Sequence, residues 1–229
     1  MRIVRFDEIT STNEYAKEMQ KYGEDLLIIA KRQTGGKGTK GRSFSSNDGG
    51  VYLTKLIFYK DFLAKDAFLV MARAALAVCK TLEDFSLAPQ IKWANDVFVE
   101  NKKICGILIE NVFSGNKISS SIVGVGLNVN NELPSELAEI ATTMKKVKGE
   151  ELDFKQVENK LMEYLNEEFS MQEYLKRVGY LNEEVTLKIG ENCVPAIPVC
   201  VEEDGGLIVK IGEKEEKVFS GEVSLTVRR

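Results

Sequence analysis

Polar side chains interrupt three apolar segments of the chain between residues 91 and 130. The first segment closes on Asn95 and Asp96, the second begins at Lys103, and the third ends at Asn128. A strand that only fills a core has no need of an Asn-Asp pair or a Gly-x-Gly-x-Asn sequence at its ends. Amines and carboxylates held at strand ends can bind anions and move protons. This spacing therefore indicates a site where chemistry takes place.

A basic, glycine-rich segment lies upstream at residues 33–42 and reads Gln-Thr-Gly-Gly-Lys-Gly-Thr-Lys-Gly-Arg. Its glycines allow a ligand to approach the backbone closely, and Lys37, Lys40 and Arg42 place cations around it. Backbone amides together with cations are what a phosphate or a carboxylate requires. The two clusters together predict a site for an anionic ligand that contains a nucleotide.

Common phosphate-binding motifs do not explain this segment. Residues 36–41 match Gly-x-Gly-x-x-Gly, but residues 43–50 cannot form the helix that the dinucleotide-binding motif needs. The sequence contains no Gly-Lys-Ser or Gly-Lys-Thr, so a P-loop is also excluded. The structural alternative is a flexible, solvated basic loop.

The other candidates have structural alternatives as well. Asp96 suits a turn, Lys103 suits a protein surface, and Asn128 suits the end of a strand. Trp93 fits a core better than ligand stacking. The Ser-Thr-Asn sequence at residues 11–13 is also typical of a helix cap. From the residues alone these alternatives stay open.

Composition excludes several classes of function. The 229-residue chain has no histidine, which excludes Ser-His-Asp and Cys-His mechanisms. Its four cysteines show no Cys-x-x-Cys spacing, which argues against disulfide frameworks and zinc sites. A net charge of -4 argues against non-specific nucleic-acid binding. Because no apolar signal region or long apolar stretch occurs, the sequence predicts a reduced, cytoplasmic enzyme.

Hydrophobic patterning divides the chain into an α+β part and a β-rich tail. Strands are predicted at residues 3–6, 26–30, 51–58, 91–93, 97–99, 104–112 and 118–129. Helices are predicted at residues 11–21, 66–82 and 154–174, and a long loop at residues 31–50. Beyond residue 179 short strands are predicted at residues 184–189, 194–202, 207–211, 217–220 and 223–227. The tail is therefore expected to form a small β-barrel.

Taken in order, these clusters resemble biotin–protein ligases over nearly the whole chain. The matching segments are Ser-Thr-Asn (11–13), Gln-Thr-Gly-Gly-Lys-Gly-Thr-Lys-Gly-Arg (33–42), Lys-Trp-Ala-Asn-Asp (92–96), Lys-Ile-Cys-Gly-Ile-Leu-Ile-Glu (103–110) and Gly-Val-Gly-Leu-Asn (124–128). Each segment is weak alone, and their shared order and spacing make the resemblance strong. It implies a class II synthetase-like catalytic domain with a mixed or antiparallel sheet at residues 1–180. A small SH3-like β-barrel would follow at residues 181–229.

The resemblance implies a two-step reaction that uses biotin, ATP and Mg²⁺. Biotin's carboxylate attacks the α-phosphate of ATP, giving biotinyl-5′-AMP and pyrophosphate. A lysine of a biotin carboxyl carrier protein then attacks the mixed anhydride and expels AMP. Nucleic-acid and membrane partners are not expected, and the sheet edges are compatible with a homodimer. Members that repress transcription carry a helix-turn-helix extension before the catalytic domain, and this chain looks like the ligase without it.

The resemblance also implies roles for individual residues. Lys103 would hold the biotin carboxylate and the transferring oxygen, while Lys37 and Arg42 would bind carboxylate and phosphate from the loop. Asp96 would face magnesium and help to accept the proton of the incoming lysine. With Arg42 and Lys103 it forms the expected catalytic set. The expected ligand-binding residues are Ser11, Thr12, Asn13, Gln33, Gly36, Lys37, Gly38, Thr39, Arg42, Phe44, Lys92, Trp93, Asn95, Asp96, Lys103, Gly106, Gly124 and Asn128. Among them, Ser11, Thr12, Asn13 and Gln33 suit the neutral ureido ring of biotin, and Asn95, Asp96 and Asn128 suit the nucleotide.

The chain departs from the family pattern in the glycine-rich loop. Lys37 and Thr39 stand where arginines are usual, so the planar bidentate contacts of arginine are lost there. Phe44 stands where a tryptophan is common, and Ala94 replaces a frequent proline. Closure of the loop over the adenylate would keep water from the anhydride, so residues 31–50 are expected to be disordered without ligand.

Two other functions compete with biotin ligation. A lipoate–protein ligase or an octanoyltransferase shares the catalytic architecture and also forms an acyl-lysine product. The segments at residues 92–96 and 103–110 favour biotin over these relatives. A biotin or adenylate sensor without transfer chemistry is the non-enzymatic alternative. Retention of both Asp96 and Lys103 argues against it.

Overall fold

A computed structural model describes residues 1–220 and the backbone of residues 223–227. Its largest element is a seven-stranded sheet with the strand order β1-β2-β3-β7-β6-β5-β4. The strands are β1 (Arg2–Ile9), β2 (Leu26–Gln33), β3 (Val51–Phe58), β4 (Gln90–Lys92), β5 (Asp96–Val99), β6 (Lys102–Ser114) and β7 (Lys117–Leu127). β1 and β2 run parallel, and the remaining neighbours run antiparallel. The sheet is therefore mixed, as the resemblance implies.

Helices cover both faces of this sheet. They are α1 (Thr12–Met19), α2 (Phe68–Asp84), α3 (Met144–Lys148), α4 (Phe154–Tyr164) and α5 (Met171–Leu175). α2, α4 and α5 pack on one face around the main core, whereas α1 covers a smaller apolar cluster on the other face. Alternate residues of β2 take part in the two clusters, so its apolar run is continuous. None of the helices in the described residues is long and apolar enough to cross a membrane.

The sequence signals around α1 are confirmed. The Ser11 side chain caps the helix by accepting from the backbone N–H of Glu14 at 3.5 Å. After a short 3₁₀ turn the chain leaves the helix at Gly23, whose φ of 67° is the left-handed conformation that glycine adopts most easily. The cap that the sequence shows thus fixes where α1 starts, directly before Thr12 and Asn13.

The long helix predicted for residues 154–174 is wrong. α4 ends at Tyr164, and the side chain of Asn166 donates to the backbone carbonyl of Met162 at 2.6 Å, which satisfies the last turn. Ser170 then caps the short helix α5 by accepting from the backbone N–H of Glu173. Side-chain capping inside an apparently continuous amphipathic pattern therefore divides it into two helices.

The tail forms a second, antiparallel sheet with the strand order β11-β10-β9-β8-β12. Its strands are β8 (Val185–Ile189), β9 (Asn192–Val201), β10 (Leu207–Ile211), β11 (Lys214–Val218) and β12 (Val223–Val227). The α+β class with a small β-rich tail is thus confirmed. The strand predicted at residues 217–220 was wrong in position. The chain turns back at Gly212 and β11 then begins at Lys214, where charged, exposed residues give no apolar signal.

A buried hydrogen bond joins the tail to the turn between β4 and β5. The indole N–H of Trp93, which is 6% exposed, donates to the backbone carbonyl of Gly205 at 3.0 Å. Gly205 has φ of 85° and lies against the ring of Phe68, where a Cβ would approach a ring carbon to 2.3 Å. Trp93 is therefore a core residue, and its expected place among ligand-binding residues is not supported by its contacts.

Replacing Trp93 with phenylalanine tests this joint. Trp93→Phe leaves the Gly205 carbonyl buried without its donor, which should cost about 1–2 kcal/mol and lower Tm by about 2–6 °C. Circular dichroism during thermal unfolding measures the change. Tyr180→Phe is the matched control, because Tyr180 is similarly buried but has only a long contact, 3.4 Å, to Asn101. Equal losses in the two variants would contradict the assignment.

Candidate active site

A β-bulge brings two charged residues of the candidate site, Lys103 and Asp96, together. β5 pairs Asp96 with Gly106 and Val97 with Cys105, and the register then shifts so that Phe98 pairs with Lys103. The extra residue of β6 turns Lys103 to the face that Asp96 and Gly106 share, while Ile104 stays fully buried. The Lys103 amine lies 2.8 Å from Asp96 Oδ1 as a result.

Asn95 supports this ion pair from the turn before β5. Its side-chain amide donates to Asp96 Oδ1 at 3.1 Å and to the backbone carbonyl of Ile107 at 3.2 Å. The side chains of Lys103 and Asp96 are 29% and 17% exposed, so a ligand can reach the amine. The pair combines a cation that can bind an anion with a carboxylate that can accept a proton.

Two cavities meet at this ion pair. Asn95, Lys103 and Gly106 line the smaller cavity, together with the residues that begin α1. The larger cavity, about 470 Å³ in volume, shares Phe44 and Lys103 with the smaller one. The amine of Lys103 therefore lies at the junction of two spaces, one narrow and one wide.

Neutral donors and acceptors form the closed end of the smaller cavity. Gln33 Oε1 accepts from the backbone N–H of Thr12 at 2.8 Å and from its hydroxyl at 3.0 Å. The Thr54 hydroxyl lies 2.7 Å from both Thr12 Oγ1 and Asn13 Oδ1. Gln33 Nε2 donates to Ser46 Oγ at 2.9 Å, which anchors the loop at the same point. The side chains that form this end are themselves uncharged donors and acceptors, which suits a neutral polar ring.

Glycines on β6 and β7 provide the floor of the smaller cavity. Gly106 and Gly126 pair across the two strands, and the ring of Phe44 lies over them. A Cβ on Gly126 would come within 2.5 Å of the Phe44 ring. The amine of Lys103 lies 5.8 Å from the centroid of the same ring, within cation–π range. Side chains on the floor would displace this aromatic residue.

Charged residues and an apolar wall line the larger cavity. The charged residues are Arg42, Lys92, Asp96 and Lys103. The apolar wall consists of Phe98, Leu133, Leu137, Ile140, Ala141 and Tyr180. The sequence patterns do not predict this wall, since residues 133–141 show neither helical nor strand periodicity. Their apolar character between polar neighbours was the available signal. A flat aromatic group with a phosphate tail matches this lining.

Lys92 has an unusual environment within the larger cavity. Burial lowers the pKa of its amine, the positive charges of Lys103 and Arg42 lower it further, and the carboxylate of Asp96 opposes both effects. The amine lies 5.2 Å from the centroid of the Phe98 ring. An incoming anion would therefore be attracted to three cations opposed by one carboxylate.

The glycine-rich loop folds back on itself. Phe44 N donates to Gly36 O at 2.9 Å and Gly38 N to Arg42 O at 2.7 Å. A Cβ on Gly36 would lie 2.5 Å from the Phe44 carbonyl, so glycine is needed there for packing. The loop thereby holds Phe44 over the sheet.

Two of the loop cations, Lys37 and Arg42, bind partners outside the Lys103–Asp96 pair. The Lys37 amine binds Glu14 of α1 at 2.8 Å, although Lys37 lines the smaller cavity. The Arg42 guanidinium donates to the backbone and the hydroxyl of Thr39 at 3.2 and 2.9 Å. Each cation keeps further N–H donors that a ligand could engage.

The structure assembles most of the residues predicted for the site. Ser11, Thr12, Asn13, Gln33, Lys37, Gly38, Thr39, Arg42, Phe44, Lys92, Asn95, Asp96, Lys103, Gly106, Gly124 and Asn128 line one cavity or both. Asn128 also has a structural role, because its amide donates to Thr142 O at 3.1 Å and accepts from Asn131. Trp93 and Gly36 are the exceptions, since both serve packing.

Three comparisons agree on what this arrangement resembles. Residues 5–128 match the Biotin/lipoate A/B protein ligase family. The chain belongs to this family. Bifunctional ligase/repressor BirA of Bacillus subtilis is 27% identical over 97% of this chain and 74% of its own length.

Solved structures of ligases share the fold. Biotin protein ligase from Aquifex aeolicus, in complex with biotin and ATP, is 31% identical, covers 99% of both chains and has a TM-score of 0.80. Biotin protein ligase from Leishmania major, in complex with biotinyl-5-AMP, is 22% identical over 96% of this chain and has a TM-score of 0.66, which supports the fold alone. The ligase architecture thus extends over the whole described chain.

Lys92→Met tests whether the partly buried amine of Lys92 binds ATP while lowering the stability of the folded ligase. Burial lowers the pKa of Lys92 in the folded ligase, whereas a lysine in an unfolded chain has a pKa of about 10.4. Between these two pKa values the unfolded ligase binds more protons than the folded one, so the stability of the wild type rises with pH. The variant should be more stable at pH 7 by about 1–3 °C in Tm, and this advantage should shrink as pH rises through that window. ATP binding should weaken.

Thermal unfolding from pH 7 to 10 and calorimetry with ATP measure the two effects. Lys188→Met, on the exposed side of β8, is the control and should shift Tm by less than about 1 °C at every pH. A destabilised Lys92→Met variant at pH 7 would refute the argument.

Proposed function

We propose that this ligase attaches biotin to a lysine of a biotin carboxyl carrier domain, using ATP and forming biotinyl-5′-AMP. The observation that carries the proposal is the position of Lys103, between a narrow cavity with a neutral polar end and a wide cavity with cations and an apolar wall. Biotin has a neutral ureido ring and a carboxylate, and ATP has a flat base and phosphates. The two cavities match these two substrates.

In the first step a carboxylate oxygen of biotin attacks the α-phosphorus of ATP, and pyrophosphate leaves. Two anions must meet, so the electrostatic contribution of fixed cations is the largest one available. Lys103 would exchange Asp96 for the biotin carboxylate and the phosphate oxygen that gains charge. Arg42 and Lys92 would bind the phosphates from the walls of the larger cavity. Lys37 would join them when the loop closes.

The binding roles follow the same division. The ureido ring would lie among Ser11, Thr12, Asn13 and Gln33, above the glycines at positions 106 and 124. Phe44 would cover the chain of biotin, with Gly38 and Thr39 beside it. Asn128 would contact the nucleotide from the larger cavity, whereas Asn95, which lines the smaller cavity and not the larger one, would hold Asp96 in place instead of the nucleotide contact expected of it. These placements use the side chains that line the cavities.

A magnesium ion fits this site only together with ATP. Among the described residues no group of three or more His, Cys, Asp or Glu side chains could hold a metal ion. Asp96 is the carboxylate in the lining of the larger cavity, and Mg²⁺ commonly binds one carboxylate together with substrate phosphates. When bound, the ion would neutralise phosphate charge.

In the second step the lysine amine of the carrier domain attacks the acyl carbon of biotinyl-5′-AMP, an amide bond forms, and AMP leaves. The amine must lose a proton, and Asp96 is the carboxylate positioned to accept it. We further propose that residues 1–180 form the catalytic unit and residues 181–229 a small appended unit, which Trp93 joins through Gly205. The carrier domain would approach the open mouth of the cavities.

Biotin-dependent exchange of pyrophosphate into ATP tests the first step. Lys103→Ala should reduce exchange at least about 100-fold, as expected when a fixed charge at the reacting oxygens is lost. Lys102→Ala is the matched control, because the amine of Lys102 donates to the carbonyl of Ala138 instead, and it should retain exchange. Exchange with lipoate but not biotin would reassign the ligase to the lipoate branch. Biotin binding without exchange would favour a sensor.

Hydrogen exchange tests loop closure. Residues 31–50 should exchange their amide hydrogens several-fold more slowly when biotin and ATP are bound, since Lys37 and Arg42 gain anionic partners. Amides of β10 provide an internal reference that should not change. Equal protection of the loop with and without substrates would rule out closure over the adenylate.

A further inference from the structure

Glu110 is a carboxylate beside the smaller cavity to which the proposed reaction gives no role. It lies on β6, two residues beyond Leu108, on the face that α1 covers. Asn13 and Lys17 lie four residues apart on α1 and both reach it. Asn13 Nδ2 donates to Glu110 Oε2 at 3.1 Å, and Lys17 Nζ lies 2.7 Å from Oε1.

The amide of Asn13 is closely confined. The residue is 5% exposed, and its Oδ1 lies above the backbone of Gly124, where a Cβ would approach it to 2.2 Å. Its oxygen accepts from the Thr54 hydroxyl at 2.7 Å while its nitrogen donates to Glu110. The two ends of the amide therefore have different partners in a space that allows only two orientations.

Of the two partners, Glu110 determines the orientation of the Asn13 amide. A hydroxyl can donate or accept, so Thr54 would adapt to either end of the amide. An ionised carboxylate only accepts, so a reversed Asn13 would place its oxygen against another oxygen. The amine of Lys17 pairs with the other oxygen of this carboxylate. The charge on Glu110 thus selects which atom of Asn13 lies at each position.

We infer that Glu110 is a positioning residue for biotin specificity, which acts by fixing the amide of Asn13. The inference rests on the proposed function, in which Asn13 lies at the ureido end of the cavity. A fixed amide presents one donor and one acceptor pattern, and a urea ring complements only that pattern. Glu110 does not line the cavity and acts through Asn13.

Glu110→Gln tests the inference with almost no change in size. Glutamine can donate or accept, so the Asn13 amide is free to reverse. We expect KM for biotin in pyrophosphate exchange to rise about tenfold, as for the loss of one charge-assisted hydrogen bond. KM for ATP and kcat at saturating biotin should stay within about twofold, because the reacting atoms lie at Lys103. An unchanged KM for biotin would overturn the inference.

Lys17→Met separates positioning from simple ion pairing. This variant removes the same ion pair but keeps the bond from Asn13 to Glu110. We expect KM for biotin to stay within about threefold of wild type. Equal increases for Lys17→Met and Glu110→Gln would assign the effect to the ion pair and overturn the inference.

An exchange of the two side chains gives a further readout. The double variant Asn13→Asp with Glu110→Gln keeps the net charge and a hydrogen bond between the positions but reverses its direction. We expect it to recover Tm relative to Asn13→Asp alone, which places two carboxylates together, without recovering biotin affinity in calorimetry. Recovery of wild-type affinity would show that only packing matters. A wild-type ligase that fails to bind biotin would instead refute the proposed function.

Discussion

The ion pair between Lys103 and Asp96 is the interaction around which the site is built. An amine at the meeting point of two cavities needs a partner when no substrate is bound, because an unpaired, partly buried charge is costly. Asp96 supplies that partner, and the bulge in β6 turns Lys103 to the face on which Asp96 lies. The same contact leaves the amine ready to exchange one carboxylate for another. At this position an anionic ligand can replace Asp96 without any shift of β5 or β6.

The two faces of the large sheet divide stability from chemistry. The face under α2 contains the main apolar core. The face under α1 has a small apolar cluster, and next to this cluster its strands carry glycines. Gly106, Gly124 and Gly126 remove side chains from β6 and β7 where the loop and α1 approach the strands. The core face can therefore remain rigid while the opposite face accommodates Phe44 and a ligand.

Local sequence patterns were sufficient to predict the elements that contain the charged residues and glycines of the site. They did not reveal which residues those side chains contact in the fold. The cap at Ser11, the strands and the clusters around Lys103 follow from local patterns. The partners of Lys37 and Arg42 do not, because Glu14 is a separate helix residue and Thr39 was expected to face a ligand. Long-range contacts also decide the roles of Trp93 and Glu110, whose partners lie 112 and 97 residues away. Such contacts have no local periodicity from which to infer them.

The hydrogen bond between Trp93 and Gly205 holds an intrinsic fluorophore, the indole of Trp93, between the two sheets. Trp93 is the one tryptophan of the chain, so the indole fluorescence comes from a single place. That place lies between the large sheet and the tail, two residues before Asn95 and the turn into β5. Water reaching the indole would shift its emission to longer wavelength. The light emitted by the native ligase therefore reports whether its two sheets remain in contact during a catalytic cycle.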